Sequence, residues 1–226
     1  MYMAFILGIP LLLGLIAFLA RDRRRFAVLN AAGYAVVLGA ATALLKAVGM
    51  HGCLSMAHGF FYLDGLSVFF ILVISIVAFA AALYSIGYIA HDVAAGRLTE
   101  TKARMYYLLF NIFCLSMFCV PAVNNLGLLW VAIEMTTLVS AILVGFYNSK
   151  ESVEAAWKYI IICSVGIIFA LLGTVLFSYA FSLSGAPKSL NWSDMRAMAG
   201  VLDKNILKVE FIFILVCYGT KDGLAT

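Results

Sequence analysis

Glu134 is an ionisable side chain near the middle of an otherwise apolar stretch, LLWVAIEMTTLVSAILVGF. A charge at bilayer depth costs roughly 2.5–3.5 kcal/mol on insertion scales, so such a residue normally faces the bundle interior and has a function there. Two lysines stand in comparable settings, Lys158 in EAAWKYIIICSVG and Lys221 in FIFILVCYGTKDG. One acid and two amines inside greasy helices are the parts of a path for charge. Burial disfavours the ionised form of each, and a nearby opposite charge restores it. Moving one partner therefore switches the protonation of the other, which is the coupling a proton pump or antiporter requires.

Spacing sets the expected depths. Glu134 lies about eight residues into its span, or about 12 Å from one end at about 1.5 Å per residue. Lys221 lies about ten residues past Phe211, about 15 Å from the same side, so the two are expected at nearly equal depth. Lys158 is only about four residues into its span, leaving about 10 Å of axial distance to Glu134, which water must bridge. Lys158 shares an i, i+4 stripe with Ile162, Gly166, Ala170 and Gly173, and small residues at that spacing mark close helix packing. The stripe predicts that Lys158 points into protein; snorkelling to the interface is the competing reading. Gly127, Trp130, Thr137 and Ala141 accompany Glu134 on one side of its helix.

The whole chain is built to position such groups in lipid. Of its 226 residues 65% are hydrophobic and only 12% charged, against about 45–50% and about 25% in soluble domains. Apolar runs long enough to cross about 30 Å of hydrocarbon recur at 3–20, 26–48, 64–87, 105–123, 126–146, 154–181 and from 208 to the C-terminus. The fold class is all-α, a polytopic transmembrane bundle of about seven spans. The first run lacks a basic leader and carries RDRRR after it, unlike a cleavable signal peptide. No basic stripe interleaved with aromatics appears, so nucleic acid is not an expected partner. Cys53, Cys114, Cys119, Cys163 and Cys217 form no CxxC pair and read as small apolar residues. His51, Cys53 and His58 lack a fourth ligand nearby, so no metal site is expected.

Arg21, Arg23, Arg24, Arg25, Arg97, Lys102, Arg104 and Lys150 follow spans one, three and five, whereas Lys46 is the basic residue after spans two and four; the longer loop after span six holds Lys188, Arg196, Lys204 and Lys208, which dilutes the contrast. The positive-inside rule then puts the odd-numbered loops in the cytoplasm and the N-terminus outside. Asp64, in FYLDGLS, is expected to cap span three, and Ser193 to cap a short interfacial helix carrying Met195 and Met198.

The segments FYLDGLSVFF, LYSIGYIAHD, NNLGLLWVAIEMTTLVSAILVGFY and EAAWKYIIICSVGIIFALLGTVL resemble the antiporter-like membrane subunits. Those subunits are shared by NADH:quinone oxidoreductase, multisubunit sodium/proton antiporters and membrane-bound nickel–iron hydrogenases. The segments WVAIEMTTLVSA and AAWKYIIICSVG most resemble the hydrogenase branch, as in formate hydrogenlyase-type complexes. The resemblance implies a fold like the N-terminal half of a fourteen-helix subunit, truncated within helix seven. Residues 1–123 would supply helices one to four, and 124–226 the start of the first antiporter-like repeat, helices five to seven.

By the same resemblance Glu134 matches the fifth-helix glutamate, Lys158 the sixth-helix lysine and Lys221 the seventh-helix lysine, the catalytic set for ion movement. The implied function is a proton-translocating, non-redox membrane subunit of a hydrogenase- or dehydrogenase-type oxidoreductase complex in a bacterial or archaeal cell membrane. No cofactor is implied in the chain itself. Partner subunits, membrane and peripheral, would supply the electron transfer, and lipid the surroundings. The alternatives are a subunit of a cation/proton antiporter, moving sodium as well as protons, and an inactive truncated scaffold.

Overall fold

The computed structural model describes residues 2–19, 22–183, 189–198, 200 and 204–221. Seven long helices and one short one account for most of them: α1 (Tyr2–Leu19), α2 (Arg23–His51), α3 (Gly65–Ala94), α4 (Glu100–Cys119), α5 (Leu126–Val144), α6 (Lys150–Leu183), α7 (Trp192–Met198) and α8 (Lys204–Lys221). Five of these, α1, α2, α3, α5 and α6, are long and apolar enough to cross a membrane. The helices α4 and α8 fill the other two expected spans but carry more charge. Glu100, Lys102 and Arg104 open α4, and Lys204, Lys208 and Glu210 stand in the first half of α8.

Polar residues stop and start the helices where the apolar runs end. Asp22, Asp64 and Thr99 each accept a backbone N–H from three residues on, capping α2, α3 and α4 as cap preferences require. Asn125 caps α5 through two such bonds, from Gly127 and Leu128. After α3 the chain turns at Gly96, whose φ of 71° suits a residue without a Cβ.

A short antiparallel hairpin, β1 (Leu54–Met56) and β2 (Phe61–Leu63), sits between α2 and α3 in register Leu54↔Leu63. It was absent from the sequence reading, which has helices alone. Its outer strand continues onto the α4–α5 connection through Tyr62 N–H to Ala122 O at 3.0 Å and Asn124 N–H to Phe60 O at 3.0 Å. The segment leading into α7 joins the same layer. Leu126 N–H donates to Leu190 O and Trp192 N–H to Asn124 O. The helix α7 starts one residue before Ser193, so that residue does not cap it. Instead the Ser193 N–H and hydroxyl both meet the Asn124 side chain.

At the opposite end of the bundle lie the starts of α2, α4 and α6. Arg23 ties the first two together, donating to Ile89 O of α3 at 3.1 Å and pairing with Glu100 at 3.7 Å. Tyr147, between α5 and α6, donates to Asp92 of α3 at 2.5 Å and shares a hydrogen bond with Tyr88 at 2.6 Å. Partial burial and the bond to Asp92 hold the Tyr147 phenol above its ordinary pKa range. The basic residues counted after spans one, three and five and placed by the structure therefore gather at one end.

In the interior α1 packs on α2 and α4, α2 on α3, α4 on α5, α5 on α6, and α6 on α8. Close approaches need glycine. A Cβ on Gly33 would come within 2.6 Å of Leu13, and one on Gly173 within 3.1 Å of Ile214. Tyr34, Tyr107, Phe118 and Ile71 are fully buried, whereas Leu12, Phe18, Phe69, Val77 and Ile168 form part of a broad exposed apolar surface. In water that surface would be an anomaly; in lipid it is the outer face.

Candidate functional site

The helix α5 carries Glu134 toward the α5–α6 contact. Two cross-links fix its register. The Trp130 indole N–H donates to Ile167 O of α6 at 2.8 Å, and the Ser140 and Tyr159 hydroxyls share a hydrogen bond at 3.1 Å. Interpolating between them puts Glu134 level with about residue 164 of α6. The carboxylate is partly buried, and its Oε2 is sealed from solvent with no hydrogen-bond partner among the described residues. A carboxylate oxygen left that way is expensive, and among the described residues it is one of two such side-chain atoms, the other being Asn30 Nδ2.

Hydroxyls line the step from Glu134 toward the basic end. Thr137, one turn on, bonds back to Ile133 O, and Ser140 bonds both Thr137 O and Tyr159. The Tyr159 hydroxyl lies within electrostatic reach of Glu134 and of the Cys163 thiol. The α5–α6 contact thus gathers an acid, Glu134, with the Ser140 and Tyr159 hydroxyls and the Cys163 thiol.

Lys158 is not among them. Its ammonium bonds Glu154 at 2.5 Å, one turn back on α6, and its side chain is 70% exposed. The expectation that it points into the chain's packed interior is not met. The stripe it shares with Ile162 and Gly173 is covered in its second half only, where α8 lies against Gly173; Ile162 itself is exposed. Periodicity marked the face of α6 that α8 covers at Gly173, but not how far along that face the cover extends.

Lys221 is the last residue of α8, and its side chain lies outside the described residues. The backbone register is defined. Gly173 faces Phe213 and Ile214, so antiparallel α8 reaches the level of about residue 165 on α6 by Lys221. The Lys221 backbone and Glu134 therefore stand at nearly the same height along α6, as the spacing led one to expect.

Two polar features escaped the sequence reading. Glu210 of α8 is 6% exposed beside Gly173, and no ion pair to it occurs among the described residues. An acid inside KVEFIFILV is the same signal that marked Glu134. Between α2 and α4, Asn111 joins Tyr34 at 3.0 Å and Asn30 at 2.9 Å, all three fully buried. Asparagines within apolar runs would have pointed to it.

Residues 123–225 match the family described as NADH:quinone oxidoreductase/Mrp antiporter, TM, and residues 55–97 match NADH-Ubiquinone oxidoreductase (complex I), chain 5 N-terminus. The chain belongs to the antiporter-like membrane subunits. The first match spans Glu134, Lys158 and Lys221 together. A similar relative is a hydrogenase-4 component F homolog of Methylacidiphilum infernorum, 40% identical over 167 residues, covering 73% of this chain and 35% of that protein. In fold, the chain superposes on a subunit of the archaeal membrane-bound sulfane sulfur reductase with a TM-score of 0.75 at 20% identity. That overlay covers 96% of this chain and 44% of the other. The Mrp complex of Dietzia sp. DQ12-45-1b gives 0.74 at 20% identity, covering 96% and 40%. The chain thus spans about a third of the curated relative's length and under half of each structure. With the family and the apolar exterior established, it is an integral membrane protein and a helical bundle of the antiporter-like type.

Proposed function

We propose that this chain moves protons as a membrane subunit of a membrane-bound hydrogenase or NADH:quinone oxidoreductase, with electron transfer carried by partner subunits. The observation behind this reading is the unpartnered, sealed Oε2 of Glu134 in the stretch that matches the family. An acid held there without a hydrogen bond is a poor structural element and a good proton acceptor. Glu134 takes a proton and exchanges it with the amine of Lys221, whose backbone stands at its level. The Ser140 and Tyr159 hydroxyls bridge the height between Glu134 and Lys158. Lys158, once released from Glu154, reaches that rung from the basic end, with water completing the gap. In this reading residues 1–123 support and 124–226 conduct. The positive-inside rule puts the basic end in the cytoplasm and the N-terminus outside.

A second reading, a subunit of a cation/proton antiporter, is favoured by the overlay on the Mrp complex. Inverted membrane vesicles separate the two. Acidification of the lumen that needs hydrogen or NADH and persists without sodium supports the first. Proton movement driven by a sodium gradient with no electron donor supports the second and removes the first.

A further inference from the structure

At the basic end, away from Glu134, a cavity of about 420 Å³ opens between the start of α2 and the last third of α3. Its mouth holds Arg23 and Arg24, and its walls are Ala27, Ile86, Gly87 and Ala90, with Tyr107 of α4 completing it. The two arginines differ in their commitments. Arg23 is pinned by Ile89 O and by Glu100, which is itself half-exposed. Arg24 is exposed and has no hydrogen bond or ion pair among the described residues. The nearby acid Asp22 is taken up by Arg25, bonding its N–H and pairing with its guanidinium at 3.0 Å.

A guanidinium with its donors free, at the mouth of a slot with small apolar walls, is chemistry in two parts. The donors suit a phosphate, which an arginine grips through paired N–H groups. The walls suit methylenes. A Cβ on Gly87 would meet nothing within 4 Å, so the slot is open along α3 and larger than a phosphate alone fills. Basic pockets between transmembrane helices are sites where anionic headgroups settle.

We infer that this cavity binds the headgroup of an anionic glycerophospholipid, its phosphate on Arg24 and Arg23 and its glycerol and first methylenes against Ala27, Gly87 and Ala90. Such a lipid fills the wedge between α2 and α3 where side chains leave it empty.

The test uses the protein purified from membranes in neutral detergent, stripped of lipid and titrated in native mass spectrometry. The probes are dioleoyl phosphatidylglycerol, dioleoyl phosphatidylcholine and inorganic phosphate. Phosphatidylglycerol is expected to bind in preference to phosphatidylcholine. Arg24→Gln should weaken it about fivefold, the worth of one basic residue at an anionic headgroup. Gly87→Leu, which fills the slot and keeps both charges, should weaken it by at least as much. Lys46→Gln, an exposed change at the far end of α2, should leave binding unaltered. Equal binding of the two lipids, or no loss in both Arg24→Gln and Gly87→Leu, overturns the proposal. Displacement of the lipid by equimolar inorganic phosphate also overturns it, by making the site one for the free anion.

Discussion

Replacing Glu134 with leucine should stabilise the protein. On insertion scales a charge at mid-membrane costs about 2.5–3.5 kcal/mol, whereas leucine gains about 0.3–0.6 kcal/mol, a difference of roughly 3–4 kcal/mol. Polar groups at the α5–α6 contact, the Tyr159 hydroxyl among them, offset part of that cost, so about half of the difference applies. The expected gain is therefore about 1–2 kcal/mol. Converted with the entropy of unfolding usual for a chain of this size, it raises the midpoint by roughly 2–4 °C. The assay is unfolding of the detergent-solubilised protein followed by circular dichroism, for wild type, Glu134→Leu and Glu134→Gln. The glutamine variant, which keeps a polar group in the same place, should fall between the other two. A leucine variant less stable than wild type by about 1 kcal/mol or more refutes the reasoning. Glu134 would then be a structural hydrogen-bonding residue.

Other expectations follow from single contacts. Tyr147→Phe removes the donor that ties the α5–α6 connection to Asp92, at a loss of about 1 kcal/mol for so exposed a phenol; faster amide exchange across 145–149 would register it. Gly173→Val forces a methyl into Ile214 and should loosen α8 from α6 by about 1–3 kcal/mol, read as earlier proteolysis within 204–221. Glu154→Gln breaks an exposed pair on α6 and should change stability by no more than about 0.5 kcal/mol, an effect that salt erases.

The helices were legible because long apolar runs between polar caps admit few other structures in lipid. Asp64, for one, caps α3 as its place in FYLDGLS suggested. The hairpin at 54–63 was not legible. Its strands are three residues each, and its turn through Ala57, His58 and Gly59 takes positive φ that no local motif announces. In the candidate site, Glu134 stood out by its depth, and the register of α5, α6 and α8 followed from residue counts. Lys158 was misjudged because a small-residue stripe identifies a face that can pack, not the stretch that a neighbour covers. Glu210 was passed over because it lies near the start of its span, where a charge reads as an interfacial one. Asn30 and Asn111 were passed over because neutral polar residues raise no alarm in a hydropathy profile.

Proton translocation by Glu134→Gln, measured per electron transferred in sealed inverted vesicles, tests the central claim most directly. The account predicts that vesicles carrying this variant assemble the complex and pass electrons from hydrogen or NADH, yet fail to acidify their lumen. Acidification at the wild-type ratio would contradict it, since the sealed carboxylate would then be a bystander.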